Sequence, residues 1–333
     1  MTRTDQPYVY VEADARLHLG VLDLRGSRGR WFGGIGAASS ALSVLVSARA
    51  AGSLAVTGED AARAAEFASR FLTYQKWEGG VSLHVHRALP PHSGLGSGTQ
   101  LALAVAQAIC AVRDETCEIA ELARSVGRAS RSAIGTWTFA GGGLVVEGGR
   151  RPGHSDIAPL LARLPIPESW RCVLVVPSAQ AGLNGAAEHA AFAQLPPPSE
   201  EDVHRVAHLV LMGLLPALAD SDLASFGTAV TELQQVTGRW FAPIQGGSFA
   251  AGPSTDIIRR MVEWGVPGVG QSSWGPAVYG IVDGDPAASR LAERVRGIAD
   301  PTTSVHVGKF SSEGARVWRA NELMTSPPST QSN

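Results

Sequence analysis

PPHSGLGSGT, residues 90–99, joins a predicted strand to a predicted helix through a turn rich in glycine. The strand is VSLHVHRAL at 81–89, whose apolar residues alternate. The helix is TQLALAVAQAICAVRD at 99–114, which is apolar on nearly every side and is therefore expected to be buried. The first N–H groups of a helix have no intrahelical acceptor and lie at the positive end of its dipole, so such a turn can bind an anion.

We predict that this turn binds phosphate. Glycine lets the backbone approach a phosphate closely, and serine or threonine hydroxyls can donate to it or bind its metal ion. The alternative is a structural turn in which Thr99 is the helix N-cap. The full PxxxGLGSG pattern between a strand and a buried helix favours phosphate. The predicted phosphate- or pyrophosphate-binding residues are Ser93, Gly94, Leu95, Gly96, Ser97, Gly98 and Thr99.

The chain length predicts two domains. At 333 residues it exceeds the usual size of a single hydrophobic core. Periodicity is lost in a proline-rich stretch around 150–169, and a new apolar strand follows, which places the boundary near residue 160. We therefore expect domains at 1–160 and 161–320, and a tail at 321–333 whose composition is typical of disorder.

Composition excludes several classes of function. A net charge of −2 gives no electrostatic reason for nucleic acid or a membrane as partner, so small-molecule substrates are expected. The three cysteines lack CxxC spacing, which predicts neither a disulfide framework nor a zinc site. No export signal or membrane span is evident, and a cytoplasmic location is expected. The two lysines, Lys76 and Lys309, do not occur in a GxxxxGK pattern, so this is not a P-loop protein and arginine must recognise anions.

The first predicted strand, residues 8–24, carries two candidate catalytic residues. Arg16 and His18 alternate with leucines and should share one polar face of the strand. An arginine fork suits a carboxylate or a phosphate, and a histidine can handle protons. The alternative is a solvated strand face. Asp14 and Asp23 are either magnesium ligands or partners of neighbouring loops, and the metal ligands remain unknown.

A second candidate segment, GVGQSSWGP at 268–276, lies in a loop bounded by glycines. Amide and backbone donors there can meet an anion, and its tryptophan can stack on an aromatic ring or fill a domain junction. Trp31 is a second candidate for an arene pocket. Asn184 and Gln245 lie where second-domain loops could close over the first domain. The candidate substrate-binding residues in this segment are Gln271, Ser272, Ser273 and Trp274.

These segments resemble a known superfamily. Residues 90–99 resemble the second motif of GHMP kinases, which implies an α+β, two-domain GHMP kinase-like fold. Its N-terminal domain would contain a left-handed βαβ unit and its C-terminal domain would be ferredoxin-like. Four segments resemble the β-ribofuranosylaminobenzene 5′-phosphate synthase family in particular, and the similarity spans roughly residues 14–318. They are 15–24, GGIG at 33–36, RSAIG at 131–135 and 268–276. Through this resemblance Gly33 and Gly34 join the predicted substrate site. From the residue pattern alone, Gly33, Gly34 and Gly36 are expected to break the extended segment that follows residues 8–24.

The resemblance implies a decarboxylating phosphoribosyl transfer. Phosphoribosyl pyrophosphate would condense with 4-aminobenzoate or 4-hydroxybenzoate and release CO2 and pyrophosphate, an early step of tetrahydromethanopterin biosynthesis. Mg²⁺ is the expected cofactor, and a homodimer is the expected assembly. Two alternatives remain: an ATP-dependent GHMP small-molecule kinase, and a non-catalytic relative that binds a phosphorylated ligand. Many GHMP kinases carry a catalytic aspartate where this chain has Gly135, which counts against the kinase.

Overall fold

The computed structural model describes residues 7–178 and 185–322, and for 185–189 it describes the backbone alone. Asn184 and the tail from residue 323 lie outside the described residues. The helices are α1 (Ala61–Gln75), α2 (Ser97–Val112), α3 (Ile119–Ser125), α4 (Ile134–Gly141), α5 (Gly185–Gln194), α6 (Glu200–Leu209), α7 (Leu215–Ala219), α8 (Leu223–Gln245), α9 (Pro253–Glu263) and α10 (Asp285–Arg296). The strands are β1 (Tyr8–Asp23), β2 (Phe32–Ala51), β3 (Ala55–Gly58), β4 (Gly80–Arg87), β5 (Leu144–Glu147), β6 (Leu160–Leu164), β7 (Trp170–Val176), β8 (Gly268–Gln271), β9 (Val278–Asp283), β10 (Ser304–Lys309) and β11 (Arg316–Ala320).

The first sheet has seven strands in the order β11-β1-β2-β4-β3, and β5 pairs with both β2 and β6. β3 and β4 are parallel and are joined by α1, which forms the βαβ unit that the fold class implies. The other pairs in this sheet are antiparallel. Because β6 and β11 belong to this sheet, the chain re-enters it after the predicted boundary at residue 160.

The second sheet is ferredoxin-like. Its four strands lie in the order β10-β7-β9-β8, and every pair is antiparallel. Along the chain they follow a βαββαβ sequence, with helices α5 to α9 between β7 and β8 and with α10 between β9 and β10. The topology confirms the predicted α+β, GHMP kinase-like fold class.

Strand β2 is continuous through three glycines that the residue pattern predicts as a break. Gly33, Gly34 and Gly36 lie inside the strand, which corrects that expectation. The reason is close packing. A Cβ atom at Gly36 would lie 2.3 Å from Cγ2 of Ile134 in α4 and 2.4 Å from the carbonyl oxygen of Leu17 in β1. The glycines therefore let a helix and a neighbouring strand approach β2.

Two hydrophobic cores meet at the first sheet. One lies between this sheet and α1 and α2, and includes Val44, Leu83 and Leu103. The other joins β1 and β2 to β7, α6 and α8, and includes Leu17 and Leu19. The candidate site lies at the margin of the second core, because Val21 belongs to that core and Phe32 and Phe241 pack against it.

One helical stretch among the described residues, Glu200–Ala219, is long and apolar enough to cross a membrane by length and composition. It comprises α6, a π-helical turn at 210–214 and α7. Val206, Val210 and Leu214 of this stretch are buried in the core that contains α8. In this structure the stretch therefore packs as part of a helical layer.

Candidate functional site

The glycine turn ends where α2 begins at Ser97. The N-cap is Gly96, whose φ is 72° and which has no side chain to cap the helix. The alternative in which Thr99 is the N-cap is therefore wrong. The N–H groups of Thr99 and Gln100 both donate to the Gly96 carbonyl at 2.9 Å, whereas those of Ser97 and Gly98 have no backbone acceptor in the described residues. Two amide donors at the positive end of α2 are thus available to an anion.

The loop hydroxyls differ in their partners. The Ser93 hydroxyl donates to the Pro90 carbonyl at 2.7 Å, and only 3% of the residue is exposed, so it fixes the turn. The hydroxyls of Ser97 and Thr99 make no hydrogen bond among the described residues. These two are the better placed to meet a ligand or a metal ion. Phosphate binding by the loop stays a prediction.

The second candidate segment is locked onto the glycine loop and β1 through Ser272. This serine is fully buried. Its hydroxyl donates to the Gly94 carbonyl at 2.7 Å and accepts the backbone N–H of His18 at 2.9 Å. The structure therefore brings together three segments that the sequence marked separately. Ser272 holds the loops in place, and its hydroxyl is already used by the protein.

A cavity opens beside this junction. Arg16 and His18 line it, while Leu17 and Leu19 are buried on the other face of β1, as the alternation predicts. Ser272, Gly34 and the glycine loop are outside its wall, although Arg16 joins the two features because its Nη1 donates to the Gly94 carbonyl at 3.0 Å. The lining residues are Arg16, His18, Gly20, Val21, Phe32, Gly33, Arg131, Ser132, Phe192, Gln234, Thr237, Gly238, Phe241, Gln245, Ser248, Phe249, Gln271, Ser273 and Trp274.

Four aromatic rings form one wall of the cavity. Phe192 lies 5.3 Å from Phe32, 5.9 Å from Phe241 and 5.4 Å from Trp274, measured between ring centroids. Phe241 and Trp274 are 4.8 Å apart, and all four contacts are edge-on or tilted. Rings arranged in this way suit a flat aromatic ligand. Trp31 lies instead in a neighbouring groove and is 42% exposed.

Two amide side chains hold the cavity floor. Gln271 accepts the Ala250 N–H at 2.7 Å and donates to the Ser273 carbonyl at 2.9 Å, so its amide is engaged within the protein. Gln234 of α8 bridges the Leu19 carbonyl and the Gln271 N–H, which ties β1 to β8. Sequence reasoning missed Gln234 because a glutamine within a helix carries no motif.

His18 is a neutral imidazole at cellular pH. Burial lowers its pKa to about 3, and the positive charge of Arg16 lowers the pKa further in the same direction. The His18 ring packs against Gly34, where a Cβ atom would lie 3.3 Å from Nε2 of the ring. A pKa this low makes the ring a weak base, which favours a hydrogen-bonding role toward a bound substrate over proton storage.

Glu147 is a buried carboxyl at the edge of the site that no sequence pattern marked. It lies in β5 opposite Gly34, and its Oε2 accepts the Gly149 N–H at 3.0 Å. Burial raises its pKa to about 7, although hydrogen bonds from Gly149, Ala133 and Ser132 act in the opposite direction. Ser132 also lines the cavity, so this carboxyl supports the start of α4 directly behind it.

Glu147→Gln is expected to stabilise the protein increasingly as pH rises. Between pH 4.5 and 7 the folded state retains a proton that the unfolded state has released, so ionisation of Glu147 costs the wild type roughly 3 kcal/mol by pH 8. Urea unfolding of both proteins from pH 4.5 to 8 measures the difference. An equally large pH-dependent difference for the exposed Glu313→Gln, or a difference for Glu147→Gln that is constant with pH, would contradict this account.

The two aspartates proposed as alternative metal ligands lie elsewhere. Asp14 accepts the Ser311 hydroxyl in a separate polar cleft that also contains Glu12, and burial raises its pKa. Asp23 accepts the N–H groups of Arg25 and Gly26 in a turn. Among the described residues there is no group of three or more histidine, cysteine, aspartate or glutamate side chains that could hold a metal ion.

At Gly135, the position of the kinase aspartate, neighbouring side chains occupy the space that a side chain would need. A Cβ atom there would lie 3.0 Å from Cγ2 of Thr99 and 3.6 Å from Nε2 of Gln100. The Gln100 amide also donates to the Gly135 carbonyl at 3.0 Å. The helix α4 is thus packed against the first turn of α2, and the described lining of the cavity contains no carboxylate.

Comparison with known proteins agrees with this geometry. Residues 61–141 match the model of the GHMP kinases N terminal domain. A β-ribofuranosylphenol 5′-phosphate synthase of Methanothermobacter thermautotrophicus is 33% identical over 307 residues, which cover 85% of this chain and 92% of that protein. The chain belongs to the β-ribofuranosylphenol 5′-phosphate synthase family. A protein of the same name from Archaeoglobus fulgidus is 32% identical over 289 residues, covering 81% of this chain and 86% of that protein.

Solved structures of GHMP kinase-like proteins support the fold. A homoserine kinase of Cytophaga hutchinsonii superimposes with a TM-score of 0.66 at 16% identity, covering 94% of this chain and 98% of that one. A mevalonate pyrophosphate decarboxylase of Streptococcus pyogenes gives 0.67 at 12% identity, covering 92% and 98%. Family membership confirms the predicted resemblance and makes the chain an enzyme of the transferase class.

Proposed function

We propose that this enzyme catalyses decarboxylating phosphoribosyl transfer from phosphoribosyl pyrophosphate to 4-hydroxybenzoate or 4-aminobenzoate. The observation that carries the proposal is the junction at Arg16. On one side of this arginine lies a helix N-terminus with free amide donors, and on the other an aromatic cavity. A reaction between a substrate that carries pyrophosphate and an arene acceptor needs these two environments next to each other. The relatives' name, which specifies a phenol product, supports the hydroxy acceptor for those proteins.

The bond changes need no acid or base in the cavity. The bond between the anomeric carbon and pyrophosphate breaks, and the ring carbon that bears the carboxylate attacks the resulting oxocarbenium-like centre. The carbon–carboxylate bond then breaks, and its electron pair restores the aromatic ring as CO2 leaves. No proton is gained or lost at the ring carbon, so a described cavity lining without aspartate or glutamate suits this reaction. Phosphoryl transfer to a hydroxyl, by contrast, gains from a carboxylate base.

The chain's own residues would act by binding and electrostatics. The amide N–H groups of Ser97 and Gly98 would stabilise the negative charge that develops on departing pyrophosphate. Arg16 would lie between that charge and the ribosyl centre. The rings of Phe192, Phe241 and Trp274 would hold the arene and exclude water.

Mg²⁺ is part of this proposal, and it would bind with the pyrophosphate. Among the described residues the cavity offers no carboxylate cluster, so the ion would take most of its ligands from pyrophosphate oxygens and water. The hydroxyls of Ser97 and Thr99 are the protein groups that suit it. The ion would neutralise charge on the leaving group.

A direct assay tests the reaction. Purified protein is incubated with Mg²⁺, phosphoribosyl pyrophosphate and carboxyl-labelled 4-hydroxybenzoate or 4-aminobenzoate, and labelled CO2 and pyrophosphate are measured. We expect equimolar release with one of the two acceptors and none without phosphoribosyl pyrophosphate. If neither product appears with either benzoate, the proposal is wrong. Consumption of ATP in parallel incubations would support the kinase, and ligand binding without turnover would support the non-catalytic relative.

Assembly and location complete the proposal. We expect a homodimer in the cytoplasm that acts early in tetrahydromethanopterin biosynthesis, with no nucleic acid or membrane partner. The exposed side chains of Leu211 and Met212 offer apolar surface for a subunit contact. Light scattering on the purified protein measures the mass.

A further inference from the structure

An arginine that the reaction above does not use packs directly on the glycine loop. A Cβ atom at Gly98 would lie 3.0 Å from Nη2 and 3.3 Å from Cζ of Arg128, so the guanidinium covers this glycine. Gly98 is the second residue of α2 and carries one of the two available N–H groups. Arg128 therefore lies beside the predicted anion site, on the side of the loop that faces α1.

Arg128 makes no hydrogen bond or ion pair among the described residues. Its guanidinium rests on the ring of Phe67 with Cζ 4.7 Å from the centroid, and its Nε is buried without an acceptor. Buried arginines normally pair with carboxylates. Because the Arg128 guanidinium has no hydrogen-bond acceptor among the described residues, its N–H groups are available to an anion from outside the protein.

Two further arginines concentrate positive charge at the same place. Burial lowers the pKa of Arg128, and the charges of Arg63 and Arg70 lower it further, which shows that like charges are held close together. A Cβ atom at Gly127 would lie 2.5 Å from Nη2 of Arg70, so the Arg70 guanidinium covers this glycine. Arg70 makes no ion pair in the described residues. Arg63 pairs with Asp60 at 3.1 Å.

The loop at 127–133 presents its two arginines in different directions. Arg128 faces the glycine loop, whereas Arg131 lines the aromatic cavity, with its Cζ 5.5 Å from the Phe192 ring centroid. Arg16 contacts the glycine loop at another residue, with its Cβ 3.4 Å from the Cβ position of Gly96. An anionic group on the N–H groups of Ser97 and Gly98 would thus have Arg16 on one side and Arg128 on the other.

We infer that Arg128, backed by Arg63 and Arg70, forms a pyrophosphate clamp on the α1 side of the glycine loop. This rests on the proposed function for the identity of the anion, while the site itself rests on the geometry. The guanidinium fork donates to the phosphoryl oxygens of the leaving group, and the helix N–H groups donate from below. The ribosyl end of the substrate is then directed past Arg16 toward the aromatic rings.

Calorimetric titration of the full chain with inorganic pyrophosphate and Mg²⁺ tests this clamp. Arg128→Gln is expected to weaken pyrophosphate binding at least tenfold, because a bidentate, charge-assisted contact is lost. Arg128→Lys keeps the charge without the fork and should give an intermediate affinity. Arg124→Gln, an exposed change at the end of α3, is the matched control and should bind within twofold of the wild type.

The outcomes separate the clamp from a structural role and from the reaction. Arg128→Gln should keep or raise the melting temperature, because it removes like-charge repulsion from Arg63 and Arg70. Pyrophosphate affinity within twofold of the wild type in Arg128→Gln, or an equal loss in Arg124→Gln, overturns the clamp. If the wild type binds pyrophosphate through Arg128 yet releases no CO2 from either benzoate, the clamp stands and the proposed reaction fails.

Discussion

Gly94→Ala is expected to destabilise the protein by about 2–5 kcal/mol and to abolish measurable turnover. At Gly94 φ is 83°, and the left-handed region costs a residue with a Cβ about 1–2 kcal/mol. The added atom would also lie 2.1 Å from the carbonyl oxygen of Ser272, and overpacking of this kind costs about 1–3 kcal/mol. Relief of this contact requires the 268–276 loop to leave the glycine loop, which breaks the junction at Ser272.

Gly29→Ala is the matched control for this change. Gly29 has a φ of 74°, but its Cβ position has no neighbour within 4 Å, so alanine there meets the backbone cost alone. Urea unfolding and kcat/KM measured on both variants separate the two effects. We expect Gly29→Ala to lose about 1–2 kcal/mol and to keep its activity. Equal losses in the two variants would mean that the contact with Ser272 is unimportant.

The sequence predicted the local elements of the fold well, because their signals are local. The glycine turn, the alternating strand β4 and the apolar helix α2 are each visible in a short window. The continuity of β2 was missed for a physical reason. Glycine normally interrupts a strand, yet Gly36 is required here by Ile134 and Leu17, which are distant in sequence and adjacent in space.

The candidate site could be predicted as a set of residues but not as an arrangement. Arg16, His18 and Trp274 line one cavity. Strand alternation singles out the first two in the sequence, and the glycine-bounded loop singles out the third. The roles of Ser272 and Gln271 could not be anticipated, because their hydrogen bonds to the protein depend on tertiary contacts.

Buried charges were the least visible feature from sequence alone. Glu147 and Arg128 belong to no pattern that distinguishes them from surface glutamates and arginines. Their environments become evident only when β5, α4 and α2 are placed together. Electrostatics at this site is therefore a property of the fold, and mutational tests should target these groups as well as the residues of the motifs.

Arg16→Gln is expected to lower kcat/KM by about 10²–10³-fold, the loss typical when one preorganised donor to a developing charge is removed. Arg16 joins the glycine loop to the cavity through the Gly94 carbonyl, and its charge faces His18. Loss of that charge should raise the pKa of His18 in the folded protein, which NMR titration of the imidazole measures independently of turnover.

The control for Arg16→Gln is Arg49→Gln, which changes an arginine in β2 that lies over the Tyr8 ring at 5.0 Å and is outside the cavity lining. This variant should retain wild-type kcat/KM and leave the His18 pKa unchanged. A fall in kcat with unchanged KM for Arg16→Gln would assign the arginine to stabilisation of the transition state, whereas a rise in KM alone would assign it to substrate binding. Activity within threefold of the wild type, together with an unshifted His18 pKa, would remove Arg16 from the site. Because Arg16 contacts the glycine loop and also lines the aromatic cavity, that result would also separate these two features functionally.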